Sequence, residues 1–150
     1  MLPQMRINGA AAELFVKGDL LLKNYVPFEP EIDNTECDIA IIQDGKLVRI
    51  QVKSARSEDL EKVKFDLTRS SASSRFYTKD DFDVLALYDF ATNKIAYIDW
   101  QSITHKRSIT LRYTDTHCKN GFVGENGRLF FDDYREFPQI IRGVSKEESA

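Results

Sequence analysis

The stretch that most constrains this 150-residue chain is a pair of β-rich runs, Cys37 to Gln43 and Lys46 to Ser54, joined by Asp44-Gly45. Asp-Gly between two such runs is the composition of a type I′ two-residue turn, because both turn positions need positive φ. Closure by two residues sets the register: Gln43 faces Lys46, and counting outward from that pair predicts that Asp38 faces Gln51. Side chains alternate along a strand, so Gln51 and Lys53 share a side with Asp38, within about 5 and 8 Å at Cβ. The opposite side carries Ile39, Ile41, Val48, Ile50 and Val52, a continuous apolar surface. That surface holds the register, since a slip of one residue would turn it to water.

Polar residues at alternate strand positions are ordinarily just the solvent side. Here the polar side carries metal- and phosphate-binding groups rather than Ser and Thr, and Ala40 keeps its first half small. Asp38 can give a hard oxygen to a divalent cation, the Gln51 amide a neutral one, and Lys53 can hold a phosphate or orient a water. Charge is uneven around this hairpin. Residues 29–44 hold Glu29, Glu31, Asp33, Glu36, Asp38 and Asp44 without a Lys or Arg, whereas residues 46–79 hold nine basic against four acidic residues, an excess of five. The net charge of -3 argues against a uniformly basic nucleic-acid coat, so any DNA binding must rest on how charge is distributed.

Upstream, Ile7, Ala10, Ala11, Leu14, Phe15, Leu21 and Leu22 recur at helical spacing and predict an amphipathic helix from Ile7 to about Lys23, ended by Asn24, Pro27 and Pro30. Tyr25 to Phe28 reads as a short edge strand. Downstream, Val63 to Thr68 alternates as a strand, Ser70 to Ser74 is loop-like, and Asp83–Asp89 pairs with Lys94–Asp99 around Ala91-Thr92-Asn93. Trp100 to Thr104 reads as a helical turn and Ser108 to Tyr113 as a further strand. Gly121, Gly124 and Gly127 mark a surface loop, since no strand leads into them and no Walker lysine follows. One domain over residues 1–142 and a frayed polar tail over 143–150 are expected.

Asp38, twelve intervening residues and then Gln51-Val52-Lys53 resemble the motif of PD-(D/E)xK nucleases. The helix containing Gly9-Ala10-Ala11-Ala12-Glu13 is similar to the first helix of that superfamily, whose acidic residue completes the metal site. Phe76 to Leu85 and Ile95 to Asp99 resemble the continuing sheet of small members encoded within group I introns, including one from a cyanobacterial tRNA gene. The resemblance implies an α/β (α+β) fold, a restriction-endonuclease-like core with a mixed β-sheet and flanking helices. It also implies a site-specific DNA endonuclease that uses Mg²⁺, with Mn²⁺ as a substitute, and makes a double-strand break in an intron-less target. Glu13, Asp38, Gln51 and the carbonyl of Val52 then hold metal, and Lys53 completes the catalytic set. Cys37 stands where the motif has proline, and Gln51 where it has an acid, which removes one negative charge from the site.

Glu13 has a second reading, an exposed i,i+4 ion pair with Lys17 worth about 0.3–0.5 kcal/mol. Arg49 shares the polar face, and Arg56, Arg69, Arg75 and Lys79 lie in polar segments able to track phosphates. A double-strand break needs two sites, so a homo-oligomer, dimer or tetramer, on a long pseudo-palindromic duplex is expected. A restriction, repair or junction-resolving nuclease of the same fold, or a catalytically silent DNA-binding module, stays open. His105, His117 and Cys118 do not form a zinc-site pattern, and neither signal peptide nor membrane span is present, so a cytoplasmic protein is expected.

Overall fold

The computed structural model describes residues 2–31, 36–69, 76–114 and 127–141. It opens with α1 (Gln4–Leu22), three residues earlier than the apolar spacing predicts, because Gln4, Met5 and Arg6 are good helix formers and the Pro3 carbonyl takes the Arg6 N–H at 3.0 Å. Its C-terminus closes with Asn24 at φ 68, the Tyr25 N–H on the Leu20 carbonyl and the Asn24 N–H on the Leu21 carbonyl. That is a Schellman cap with asparagine in the left-handed position.

The predicted hairpin forms β1 (Ile39–Gln43) and β2 (Lys46–Ala55), with Asp44 at φ 51 and Gly45 at φ 76. Its register runs from Gln43↔Lys46 to Ile39↔Ile50, as the two-residue turn requires. β3 (Lys62–Asp66) follows, then β4 (Val84–Asp89) and β5 (Lys94–Asp99), a short 3₁₀ turn at Trp100–Ser102, β6 (Ser108–Arg112), β7 (Leu129–Phe130) and a 3₁₀ turn at Phe131–Tyr134. The expected edge strand at Tyr25–Phe28 reduces to one antiparallel bridge, Phe28↔Ala40.

One mixed sheet runs β1-β2-β4-β5, with β2 and β4 parallel and the outer pairs antiparallel. β4, Val-Leu-Ala-Leu-Tyr-Asp, is buried at every position, as befits a strand covered on both faces. On one face Ala12, Val16 and Leu20 of α1 pack on Ile39, Ile41, Val48, Ile50, Val52, Val84 and Ala86. The other face is covered by a second sheet, β3-β6-β7, through Val63, Phe65, Leu85, Leu87, Ile98, Ile109 and Leu111. Flanking helices are expected from the sequence; among the described residues there is one α-helix, and a sheet does the work on the opposite side. Asp89, fully buried, ties the end of β4 to its surroundings: its carboxylate accepts the Ser57 N–H at 3.0 Å, the Ser57 hydroxyl at 2.9 Å and the Tyr113 hydroxyl at 2.7 Å.

The helical stripe read from the sequence needs correcting. The buried residues are Ala12, Val16 and Leu20, whereas Ile7, Leu14, Phe15, Leu21 and Leu22 lie largely exposed. The helix is apolar on two faces, and the sheet takes the one with fewer large residues.

Candidate active site

β2 outruns its hairpin partner. Pairing with β1 ends at Ile50, yet β2 continues to Ala55 alongside β4, so beyond Ile50 the edge facing β1 is open. The N–H and C=O of one strand residue point to the same side, and those of Val52 point into this gap. Asp38 fills part of it. Its N–H donates to the Ile50 carbonyl at 2.9 Å, and its carboxylate Oδ2 accepts the Val52 N–H at 2.9 Å. Asp38 therefore does not continue the ladder opposite Gln51. It leaves the ladder one residue early and replaces a strand with a carboxylate.

Gln51 and Lys53 project from β2 toward the second sheet, paired with Leu85 and Leu87 of β4. Gln51 is buried, and its side-chain amide lies 3.4 Å from the Val52 carbonyl. Lys53 extends its ammonium to the Thr68 carbonyl at 3.0 Å and over the Tyr77 ring, 5.1 Å from the centroid. Glu13 arrives from α1. Lys17 forms its ion pair with Glu29, yet its charge still favours the ionised Glu13 and opposes the nearby charge of Asp38, so part of the i,i+4 attraction persists.

The electrostatics follow from burial. Desolvation, then the charge of Asp38, raises the Glu13 carboxyl above its ordinary range. Desolvation also raises Asp38, against the opposing pull of the Val52 N–H and Lys53. Burial depresses the Lys53 ammonium, which Asp38 and Asp66 partly restore. Tyr77 is pushed up to about 12 by burial and then by Asp38. Two carboxylates and an ammonium, each partly buried and displaced from its usual pKa, mark this cluster as a candidate functional site.

Four oxygens here could serve a hard divalent cation: the carboxylates of Glu13 and Asp38, the Val52 carbonyl once it gives up the Gln51 Nε2 that now donates to it, and the Gln51 amide oxygen. Among the described residues no group of three or more His, Cys, Asp or Glu side chains is gathered. The negative charge of such a site rests on Glu13 and Asp38 alone.

The predicted phosphate-tracking residues are dispersed. Arg49 is clamped to Asp83, its N–H 2.8 Å from Oδ2 and its Nη1 2.8 Å from the Asp80 carbonyl. Arg69 pairs with Glu36, and Lys79 donates to the Trp100 and Ile103 carbonyls while lying 4.0 Å from the Trp100 ring centroid. Arg56 is exposed near Phe90, and Arg75 lies outside the described residues. Two features were missed from sequence. Tyr77 and Thr68 brace Lys53 across segments with no shared periodicity, which no local pattern announces. The outward positions of β3 and β6 carry Lys62 opposite Arg112, Lys64 opposite Thr110 and Asp66 opposite Ser108, with Arg107 beside Phe76 at the end, a net basic face. Their alternation with buried Val63, Phe65, Ile109 and Leu111 was the available signal. Cys37, expected in a buried strand, sits half-buried just before β1. His105 is half-buried with its imidazole depressed by burial and then by Lys79, while His117, Cys118, Gly121 and Gly124 lie outside the described residues. No helix among the described residues is long and apolar enough to cross a membrane.

Residues 4–123 match the PD-(D/E)XK endonuclease family, a span containing all of the clustered side chains. The chain is similar to Protein 5.3 of Escherichia phage T7, 25% identical over 107 residues that cover 71% of this chain and 89% of that protein. Its fold is similar to that of the bacterial homing endonuclease I-Ssp6803I, with a TM-score of 0.60 and 22% identity over 76% of this chain and 79% of that one. The mixed sheet, α1 and second sheet thus form a restriction-endonuclease-like α+β fold, and nucleases of this kind generally use divalent metal ions. The family match covers four-fifths of the sequence, and the chain therefore belongs to the PD-(D/E)XK endonuclease family of nucleases.

Proposed function

We propose that this chain is a Mg²⁺-dependent, site-specific DNA endonuclease that cuts both strands of a long, pseudo-palindromic target as a homo-oligomer, and that its target is the intron-less allele of a group I intron site. The observation that carries the catalytic part is the Asp38 carboxylate seated on the Val52 N–H, between Gln51 and Lys53 of β2 and within electrostatic reach of Lys53 and Glu13. The likeness to I-Ssp6803I supports homing as the use of that chemistry.

Glu13, Asp38, Gln51 and the Val52 carbonyl would hold the cation, which, when bound, supplies Lewis acidity at the phosphate and acidifies a water. Asp38 is held in orientation by the Val52 N–H. Lys53, steadied by Thr68 and Tyr77, directs its remaining protons at the charge that develops on the phosphate oxygens as water attacks in line and the 3′ oxygen leaves. The face of Lys62, Lys64 and Arg107, with Arg56, offers further phosphate contacts. Arg49, Arg69 and Lys79 reach DNA only by exchanging their present partners.

Incubating the purified protein and Mg²⁺ with matched intron-less and intron-containing alleles tests this reading. Cleavage confined to the intron-less allele is expected. Cutting of both alleles points to restriction or repair, cutting of branched DNA alone to junction resolution, and binding without cutting to a silent module.

A further inference from the structure

Apart from Phe15 at its flank, which stacks on Tyr88 with ring centroids 4.9 Å apart, the outer face of α1 is largely exposed in the described fold. Leu14 is 66% exposed, Leu21 55% and Leu22 85%, while Ala12, Val16 and Leu20 on the reverse face are at most 1% exposed. Ile7, Ala11, Leu14, Gly18 and Leu21 are spaced four, three, four and three, the seam of a two-helix coiled coil. Along that seam large residues alternate with small ones. Its flanks carry Ala10, Phe15 and Leu22, with Lys17 the one charge, and Lys17 is drawn off to Glu29.

Gly18 supplies a second, independent observation. Glycine inside a helix is destabilising relative to alanine. A Cβ at Gly18 would meet nothing within 4 Å, so no contact inside the chain requires glycine there. Gly9 is equally open, but Gly18 lies on the seam, where the missing Cβ lets another backbone approach closely.

We propose that this face is a self-association surface on which a second copy of the chain packs α1 against α1, antiparallel about a two-fold axis at Leu14. Antiparallel packing sets Ile7 of each copy against Leu21 of the other and lets the helix dipoles oppose, while Ala11 and Gly18 admit the partner's backbone. Parallel packing would instead align the two helix dipoles. Ile7, Leu14, Phe15, Leu21 and Leu22 expose roughly 600 Å² per copy, if a large side chain carries about 200 Å². That exceeds the few hundred Å² of contiguous apolar surface a soluble monomer usually shows, and two copies together reach about 1,200 Å², the lower end of specific interfaces. Segments 115–126 and 142–150 are poor alternatives, being mostly polar, with Phe122 and Val123 as the large apolar pair of the first and Val144 alone in the second. The inference names a surface for the self-association proposed above. Its failure is read in oligomeric state and that of the nuclease reading in cleavage, so the two are separable.

Sedimentation velocity on the full chain from about 1 to about 100 µM tests it, with Leu14→Glu and Gly18→Leu alongside. The parent is expected to sediment as a dimer or a multiple of it, and both variants to weaken α1 pairing at least about tenfold. Gly18→Leu points into open space and raises helix propensity, so its thermal unfolding stays at or above that of the parent. A parent that is monomeric throughout overturns the proposal, as does a dimer that both folded variants retain. In a background lacking Cys37 and Cys118, mixed Ile7→Cys and Leu21→Cys chains are expected to form a disulfide that Ile7→Cys alone does not. The reverse pattern overturns the antiparallel arrangement.

Discussion

Replacing Lys53 by Met separates a catalytic lysine from a structural one. The substitution keeps most of the side-chain volume and removes the charge. The ammonium makes one charged hydrogen bond, 3.0 Å to the Thr68 carbonyl, and lies 5.1 Å from the Tyr77 ring centroid. Losing these costs about 1.5–3 and about 0.5–1 kcal/mol. Against that stands the relief of a half-buried cation whose desolvation is several kcal/mol on general grounds. Stability is therefore expected to stay within about 1 kcal/mol of the parent or to rise. The rate has no such compensation, because a donor aimed at developing charge contributes about 10²–10³-fold. Single-turnover cleavage of a plasmid substrate, with binding measured in Ca²⁺ by gel shift, should show that loss with little change in affinity. The pH dependence carries a sign. The folded Lys53 pKa is lowered by burial, so between it and the ordinary lysine value the unfolded chain holds more protons and parent stability rises with pH. Urea unfolding of Lys53→Met should lack that rise. A variant that cuts within about threefold of the parent rate, or that loses more than about 2 kcal/mol of stability, refutes the reasoning.

Gln51→Glu adds a carboxylate beside the Val52 carbonyl and should tighten Ca²⁺ or Mg²⁺ binding by roughly tenfold or more, the scale of one added unit charge a few ångströms away; titration calorimetry on the free protein reads it. Because burial raises both Glu13 and Asp38, protons compete for the site at a higher pH than for ordinary carboxylates, so metal affinity measured the same way should fall as pH is lowered from about 7 to about 5. Asp89→Asn should cost about 1–3 kcal/mol in urea unfolding: the amide oxygen can keep the Ser57 and Ala91 N–H groups, but its nitrogen then faces the Ser57 and Tyr113 hydroxyls, which have to turn from donors to acceptors, and the charge that strengthened these bonds is lost. Burial opposes ionisation of Asp89, but the hydrogen bonds from Ser57, Tyr113 and Ala91 outweigh it and hold the carboxyl below its usual range. That stability is present above the ordinary aspartate pKa and lost as pH falls through the folded value, a slope the Asn variant should lack.

Where local chemistry decides the outcome, the sequence was readable. Asp44-Gly45 determines the turn, the turn determines the register, and the apolar alternation of Ile39, Ile41, Val48, Ile50 and Val52 chooses the buried side. The pairing of β4 with β5 was readable for the same reason, with Asn93 at φ 57 in its turn. Where a third element decides, it was not. Periodicity reports that a helix face is apolar but not what lies against it, so nothing in the spacing tells that the fuller stripe of α1 faces outward. Counting along the hairpin placed Asp38 in the ladder, whereas its carboxylate competes with the ladder for the Val52 N–H and wins. The contacts of Tyr77 and Thr68 with Lys53 arise from tertiary folding, and the two residues of β7 are too few for any period.

The most direct measurement is Mg²⁺-dependent cleavage of DNA by the parent chain and by Asp38→Asn, side by side on a randomised duplex library read by sequencing of the new ends. Asn at this position keeps an oxygen able to accept the Val52 N–H while removing the charge. The account predicts cuts at a defined sequence by the parent, none in EDTA, and a loss of at least about 10²-fold in the variant. Equal cutting by both proteins, or no cutting by the parent with any divalent metal, contradicts it.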